Sequence, residues 1–221
     1  RPSDTEVLVM RLVDRALRPM FPSDYHAGTQ VMVQLMSADA EVLPDSLVGL
    51  AASACIAVSD VPFNGPISEV RVARIDGEFI INPHRTELES ADIDMMIAGT
   101  IDSIVMVEGE MSEVSENEMV EAIEAAAKAI TAQCEAQIAL AKAVGTHGVS
   151  REYCHEDHDD ELKAKVFDTL YPTMYAAAQK EKTKSDRKAA FKAIAADFVA
   201  TLSEDVTKGK AFILKSYLHD V

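Results

Sequence analysis

The sequence predicts an α+β domain followed by a small all-helical domain. Three observations carry this: two hairpin signals in the middle of the chain, one long capped helix directly after them, and purely helical patterning beyond that helix.

Thr5 to Met20 places Val7, Leu8, Leu12 and Leu17 at near-helical spacing behind the possible caps Ser3 and Asp4, and Pro19 and Pro22 close the segment. From Gln30 to Met36 the short run of Val31, Met32, Val33, Leu35 and Met36 predicts a strand covered on both faces. Asp45 or Ser46 can cap a helix reaching about Val58, whose Gly49, Ala51, Ala52, Ser53 and Ala54 suit close packing. Glu69 to Ile81 reads as a hairpin around Asp76-Gly77, because both central residues of a type I′ turn need positive φ. A second hairpin joins Ile93–Ala98 to Ile104–Glu108 around Gly99-Thr100.

Ser115 and Glu118 then form a capping box. Met119, Ile123, Ala127, Ile130, Cys134 and Ile138 follow on one helical stripe that Gly145 ends, giving a helix of about 44 Å. Residues 145–148 read as a linker. Beyond it lie helices from Glu161 to Ala178, interrupted near Pro172, from Ser185 to Leu202, and from Val206 to Leu218. Domains over residues 1–146 and 147–221 are therefore expected.

A hydrophobic content of 48% in 221 residues suffices for real cores. No run approaches the roughly 18 to 20 apolar residues of a membrane span, and no secretory leader opens the chain, which points to a cytoplasmic protein without a membrane partner. Cys55, Cys134 and Cys154 are widely spaced and odd in number, so reduced thiols are expected. A formal charge of −16 excludes a surface that binds nucleic acid everywhere, though not a local basic site. Because the chain opens on Arg1-Pro2-Ser3 without Met, it reads as a fragment.

The residues that carry a family likeness begin at Arg1-Pro2-Ser3 and run ungapped through Arg11-Leu12-Val13-Asp14-Arg15-Ala16-Leu17-Arg18-Pro19-Met20-Phe21-Pro22. They continue in Gly49 to Ala54, in Val58 to Ile67, and in Val107-Glu108-Gly109. In order and spacing this resembles the polynucleotide phosphorylase family, over most of its first ribonuclease PH-like core, a ribosomal protein S5 domain 2-like fold with a mixed sheet. The helical tail sits where that family has its all-α RNA-binding and linker domain. The resemblance implies a parent that degrades RNA from the 3′ end with inorganic phosphate, releasing nucleoside diphosphates, and that works as a homotrimer. It also implies Mg²⁺ held by a second core, with no cofactor in this part.

Arg11, Arg15 and Arg18 at i, i+4 and i+7 build one cationic stripe on a helix, and guanidinium forks suit phosphate. Asp14 lies at ion-pairing distance in helical spacing from Arg11 and Arg18, so a solvated, self-neutralised face is the competing reading. The resemblance places this segment, with Arg1, along the family's single-stranded RNA path.

Asp92 and Asp94 on a strand would share one face, about 7 Å apart, suitable for a divalent cation. In the family's catalytic core the matching Asp-x-Asp is followed by a lysine and preceded by another acid. This sequence has Met96 and Leu88 there, with Glu87 and Glu89 flanking the latter. The family's serine-rich phosphate loop matches Leu43 to Leu47, where Ser46 is the one serine and Asp45 adds negative charge. Ser46, Leu88, Asp92, Asp94 and Met96 thus read as a degenerate pseudo-site, with no catalytic residue and no metal ligand set. An active single-core enzyme of ribonuclease PH type and a non-enzymatic helical interaction module are the alternatives.

Four further features of the sequence are weaker. Cys154-His155-Glu156-Asp157-His158 offers zinc-ligand types without a second pair. Met32, Met36, Met95, Met96 and Met106 suit strand cores. Lys180, Lys182, Lys184, Arg187 and Lys188 form the one dense basic patch, whereas Glu108 to Glu121 is an acidic, solvated run.

Overall fold

The computed structural model describes residues 2–154 and 158–221, which fall into two compact units, Arg1–Cys154 and His155–Val221. No helix among them is long and apolar enough to cross a membrane.

In the first unit helix α1 spans Asp4–Leu17, and a short 3₁₀ turn, Arg18–Met20, carries it into Pro22. Ser3 caps α1 through a reciprocal box with Glu6, whose carboxylate those bonds from Ser3 hold below its usual range. Helix α2 spans Asp45–Ala57. Four strands follow, β1 (Ser68–Ile75), β2 (Glu78–Ile81), β3 (Ile93–Gly99) and β4 (Ile104–Met111). They pair in the order β2-β1-β3-β4, antiparallel throughout, where a mixed sheet was expected. Two hairpins fix this arrangement. The first turns on Asp76 and Gly77, both at positive φ.

Helix α3, Glu116–Val144, starts at the Ser115 and Glu118 box and ends where Gly145 takes φ +82. It covers one face of the sheet: Val70, Val72, Ile93, Met95 and Ile97 pack on Ala122, Ala126, Ile130 and Cys134. Burial raises the Cys134 thiol to about 11, so it stays protonated. On the other face α1 and α2 pack on the sheet, with Leu12, Ala16, Ala52 and Ile56 against Ile67, Met96, Ala98 and Met106.

Residues 30–36 depart from expectation. They form no strand, and Met32 and Met36 are 82% and 84% exposed. An apolar run becomes a strand only where a neighbour takes its backbone hydrogen bonds, and neither sheet edge, β2 or β4, pairs with it. Met95, Met96 and Met106 do lie in the core.

The second unit is helical: α4 (Asp160–Lys180), α5 (Lys184–Ala200), a π turn (Asp205–Gly209) and α6 (Ala211–Asp220). Leu162, Val166, Leu170 and Met174, at successive i+4 positions, face Phe198, Leu214 and Tyr217. The Asp159 N–H donates to the Tyr217 hydroxyl at 3.0 Å, tying the start of α4 to α6. Pro172 does not interrupt α4, contrary to expectation. It deletes one helical N–H, and the buried stripe continues on both sides of it and holds the axis.

Candidate functional site

The cationic stripe forms as its spacing requires. Leu12, Val13, Ala16 and Leu17 are buried, which turns Arg11, Arg15 and Arg18 outward on the opposite side of α1. Arg15 ion-pairs with Glu108 of β4, and Arg18 forks onto Asp14 at 2.7 Å and 2.8 Å. Arg11 makes no ion pair among the described residues. Both pairs are half exposed or more, so each is worth about 1 kcal/mol or less and yields readily to a competing phosphate. Arg1 lies outside the described residues.

The two aspartates do not converge. Asp94 sits inside β3 and receives Arg71 of β1 at 2.6 Å and 2.7 Å, and the same guanidinium reaches Asp45 at the start of α2 at 2.5 Å. Asp92 precedes β3, where strict alternation no longer holds, and is held by Arg74 at 2.6 Å and 2.8 Å. Arg74 also bonds Glu118 at the start of α3. The pair that sequence spacing placed on one face is therefore split between two arginines and two helix N-termini. Bonds from Ser115, then Arg74, hold Glu118 down to about 2, and Arg74 likewise holds Asp92 below its usual range.

At the start of α2 a carboxylate occupies the place an anion would take. The Ser46 N–H donates to Asp45 at 2.8 Å, and Asp45 is neutralised by Arg71. Ser46 itself is buried. The cleft beside it, bounded by Leu43, Asp45, Arg71 and Asn82, measures about 70 Å³. Ligand pockets start at roughly 300 Å³. Met96 is buried in the core, and Leu88 is half-buried in a 3₁₀ turn, Glu87–Ser90. The described residues contain no group of three or more His, Cys, Asp or Glu placed to hold a metal.

Glu69, which no sequence signal marks, is the most unusual group here. It is 1% exposed, and neither carboxylate oxygen has a hydrogen-bond partner among the described residues. Burial, with repulsion from Asp45, pushes it up to about 7 despite Arg71. Gly49 of α2 makes room for it: a Cβ there would meet Glu69 Oε2 at 2.6 Å and Glu69 Cβ at 2.8 Å. Arg71 and Arg74 also escaped sequence reading, although an Arg on a half-buried strand beside Asp-x-Asp is itself a visible signal.

In the second unit the basic residues Lys180, Lys182, Lys184, Arg187 and Lys188 lie at the α4–α5 turn. Of the candidate zinc cluster, His155, Glu156 and Asp157 lie outside the described residues. Cys154 is exposed.

Comparison with known proteins agrees with this architecture. Residues 65–129, from just before β1 into α3, match the model of the 3′ exoribonuclease family, domain 2. The polyribonucleotide nucleotidyltransferase of Parabacteroides distasonis is 56% identical over 99% of this chain and 29% of that protein. The corresponding protein of Bacteroides fragilis is 54% identical over 100% and 31%, and that of Porphyromonas gingivalis 53% over 99% and 29%. A crystal structure of rice Rrp46 superposes with a TM-score of 0.49 at 13% identity, over 64% of this chain and 66% of that one, too slight a likeness to carry inference. The chain thus spans about three tenths of the length of the curated relatives it matches. With more than half of its residues shared along essentially its whole length, it belongs to the polyribonucleotide nucleotidyltransferase family, as a segment of such a protein.

Proposed function

We propose that this chain is the catalytically silent first core and the helical linker domain of a phosphorolytic 3′→5′ exoribonuclease, divided near residues 146 and 147. In that role it supplies part of the single-stranded RNA path and of a homotrimeric scaffold in the cytoplasm. The parent transfers terminal nucleotides to inorganic phosphate, releasing nucleoside diphosphates in mRNA degradation. One observation carries the silent-core reading: the pseudo-site is closed by its own side chains. Arg71 joins Asp94 to Asp45, Asp92 is held elsewhere, and Leu88 and Met96 offer neither ligand nor charge. This arrangement does not fit a catalytic Mg²⁺, so the metal and phosphate of the parent belong to residues outside this chain.

The RNA path is assigned to Arg1, Arg11, Arg15 and Arg18. The outward stripe on α1, with ion pairs weak enough to exchange for phosphate, supports it. The test is binding of single-stranded oligoadenylate across a salt series. Replacing Arg11, Arg15 and Arg18 together by Ala is expected to weaken binding and reduce the slope of log K against log salt by up to about 2, at roughly 0.7 per phosphate contact on a single strand. An unchanged affinity and slope would remove these residues from the path.

A further inference from the structure

Phe167, Tyr171 and Tyr175 lie at i, i+4 and i+8 on α4, next to its buried stripe but outside it. They are 47%, 44% and 55% exposed. Their rings stack in sequence, with centroids 4.9 Å and 5.9 Å apart and planes 18° and 23° from parallel. The outer faces of Phe167 and Tyr175 have no stacking partner among the described residues. Three large, half-exposed aromatic side chains held near parallel are not explained by the packing of this unit, whose core is built from the neighbouring stripe of α4.

The charge around the ladder runs in one direction. Of the chain's 37 acidic and 21 basic residues, 12 and 11 lie in His155–Val221, so this unit is near neutral and Arg1–Cys154 carries almost all of the −16. The start of α4 mixes Asp160, Glu161 and Asp168 with Lys163 and Lys165, a balance of −1, whereas its end is uncharged from Ala176 to Gln179 and leads into Lys180, Lys182 and Lys184 with Glu181 among them, a balance of +2. An anionic polymer is therefore favoured at the Tyr175 end.

We propose that the open face of Tyr175, backed by Tyr171 and Phe167, forms a base-stacking platform for single-stranded RNA, with Lys180, Lys182 and Lys184 taking the phosphates that follow. Aromatic faces bind any base, because every base has a π face, and a neighbouring basic segment supplies the electrostatic share. The site is distinct from the arginine stripe of α1 and rests on the reading that the parent handles RNA.

The experiment measures binding of oligoadenylate and of polyphosphate, which has the charge but no bases, to the 221-residue chain and two double variants. Tyr171→Leu with Tyr175→Leu keeps apolar bulk and removes the π faces, and Tyr171→Phe with Tyr175→Phe keeps them. The Leu variant is expected to lose about 10-fold or more in oligoadenylate affinity, with its salt slope and polyphosphate affinity unchanged. The Phe variant should match the unaltered chain. Circular dichroism checks that α4 stays helical. If the unaltered chain binds oligoadenylate and the Leu variant binds equally well, the platform is refuted while the RNA reading stands. If the unaltered chain binds no RNA, both fall. Self-association that disappears in the Leu variant while RNA binding persists would assign the ladder to a second copy of the chain, and overturn the proposal.

Discussion

Replacing Glu69 by Gln should stabilise the sheet unit by an amount that grows as pH rises above 4.5 and is complete above about 7. The carboxyl has a normal value of 4.5 when exposed and about 7 in the fold. Below the unfolded value it is neutral in both states and costs nothing extra. As pH rises through the interval, the unfolded chain releases its proton first, so folding stability falls with pH and the loss is complete above the folded value. A displacement of this size at 1.36 kcal/mol per pH unit corresponds to about 3 kcal/mol. Gln keeps the volume and cannot ionise. Urea unfolding of both proteins, followed by circular dichroism from about pH 5 to about pH 8, should give curves that nearly coincide in acid and separate by about 3 kcal/mol in base. Parallel pH profiles would show that Glu69 is solvated or paired, and would refute the packing described around it. Gly49 provides a cross-check. Gly49→Ala drives a methyl onto the Cβ of Glu69, which cannot move aside, and should cost about 1–3 kcal/mol. Combining it with Glu69→Gly, which removes that Cβ, should cost less than the sum of the two single changes, because the two sites share one space.

Other consequences follow from the same structure. Arg71→Met leaves Asp45 and Asp94 facing each other in a partly buried site and should destabilise by about 3 kcal/mol, with partial recovery when both aspartates become Asn; urea unfolding measures it. Gly145→Ala forces a side chain into a left-handed C-cap and should cost about 1 kcal/mol in the same assay. In the native chain a thiol reagent should modify Cys55 and spare Cys134 until the protein unfolds, a difference that mass spectrometry of alkylated peptides reads directly.

What could be read from the sequence was local. The Ser115 and Glu118 box and Gly145 marked the ends of α3 because capping chemistry lies within a turn of the residues it caps. Asp76-Gly77 located the β1–β2 hairpin for the same reason. Features that depend on distant chain were not legible. Residues 30–36 have strand composition, but only a neighbouring edge makes a strand. Asp92 and Asp94 have the spacing of a shared face, but Asp92 lies one residue outside β3, and Arg74 draws it away. Glu69 met its Gly49 only after β1 packed on α2. The spacing of Phe167, Tyr171 and Tyr175 singled out nothing by itself, because apolar residues at i, i+4 and i+8 read equally as a core stripe, and only the packed helices put these positions outside the core.

The central claim is that this segment holds RNA without cleaving it, and release of nucleoside diphosphate tests that most directly. The 221-residue chain is incubated with oligoadenylate, inorganic phosphate and Mg²⁺, and ADP is measured over time. The account predicts no ADP above the level without protein, because Arg71 occupies the pseudo-site and Leu88 and Met96 replace working groups. Sustained, phosphate-dependent ADP production by the chain alone would contradict it.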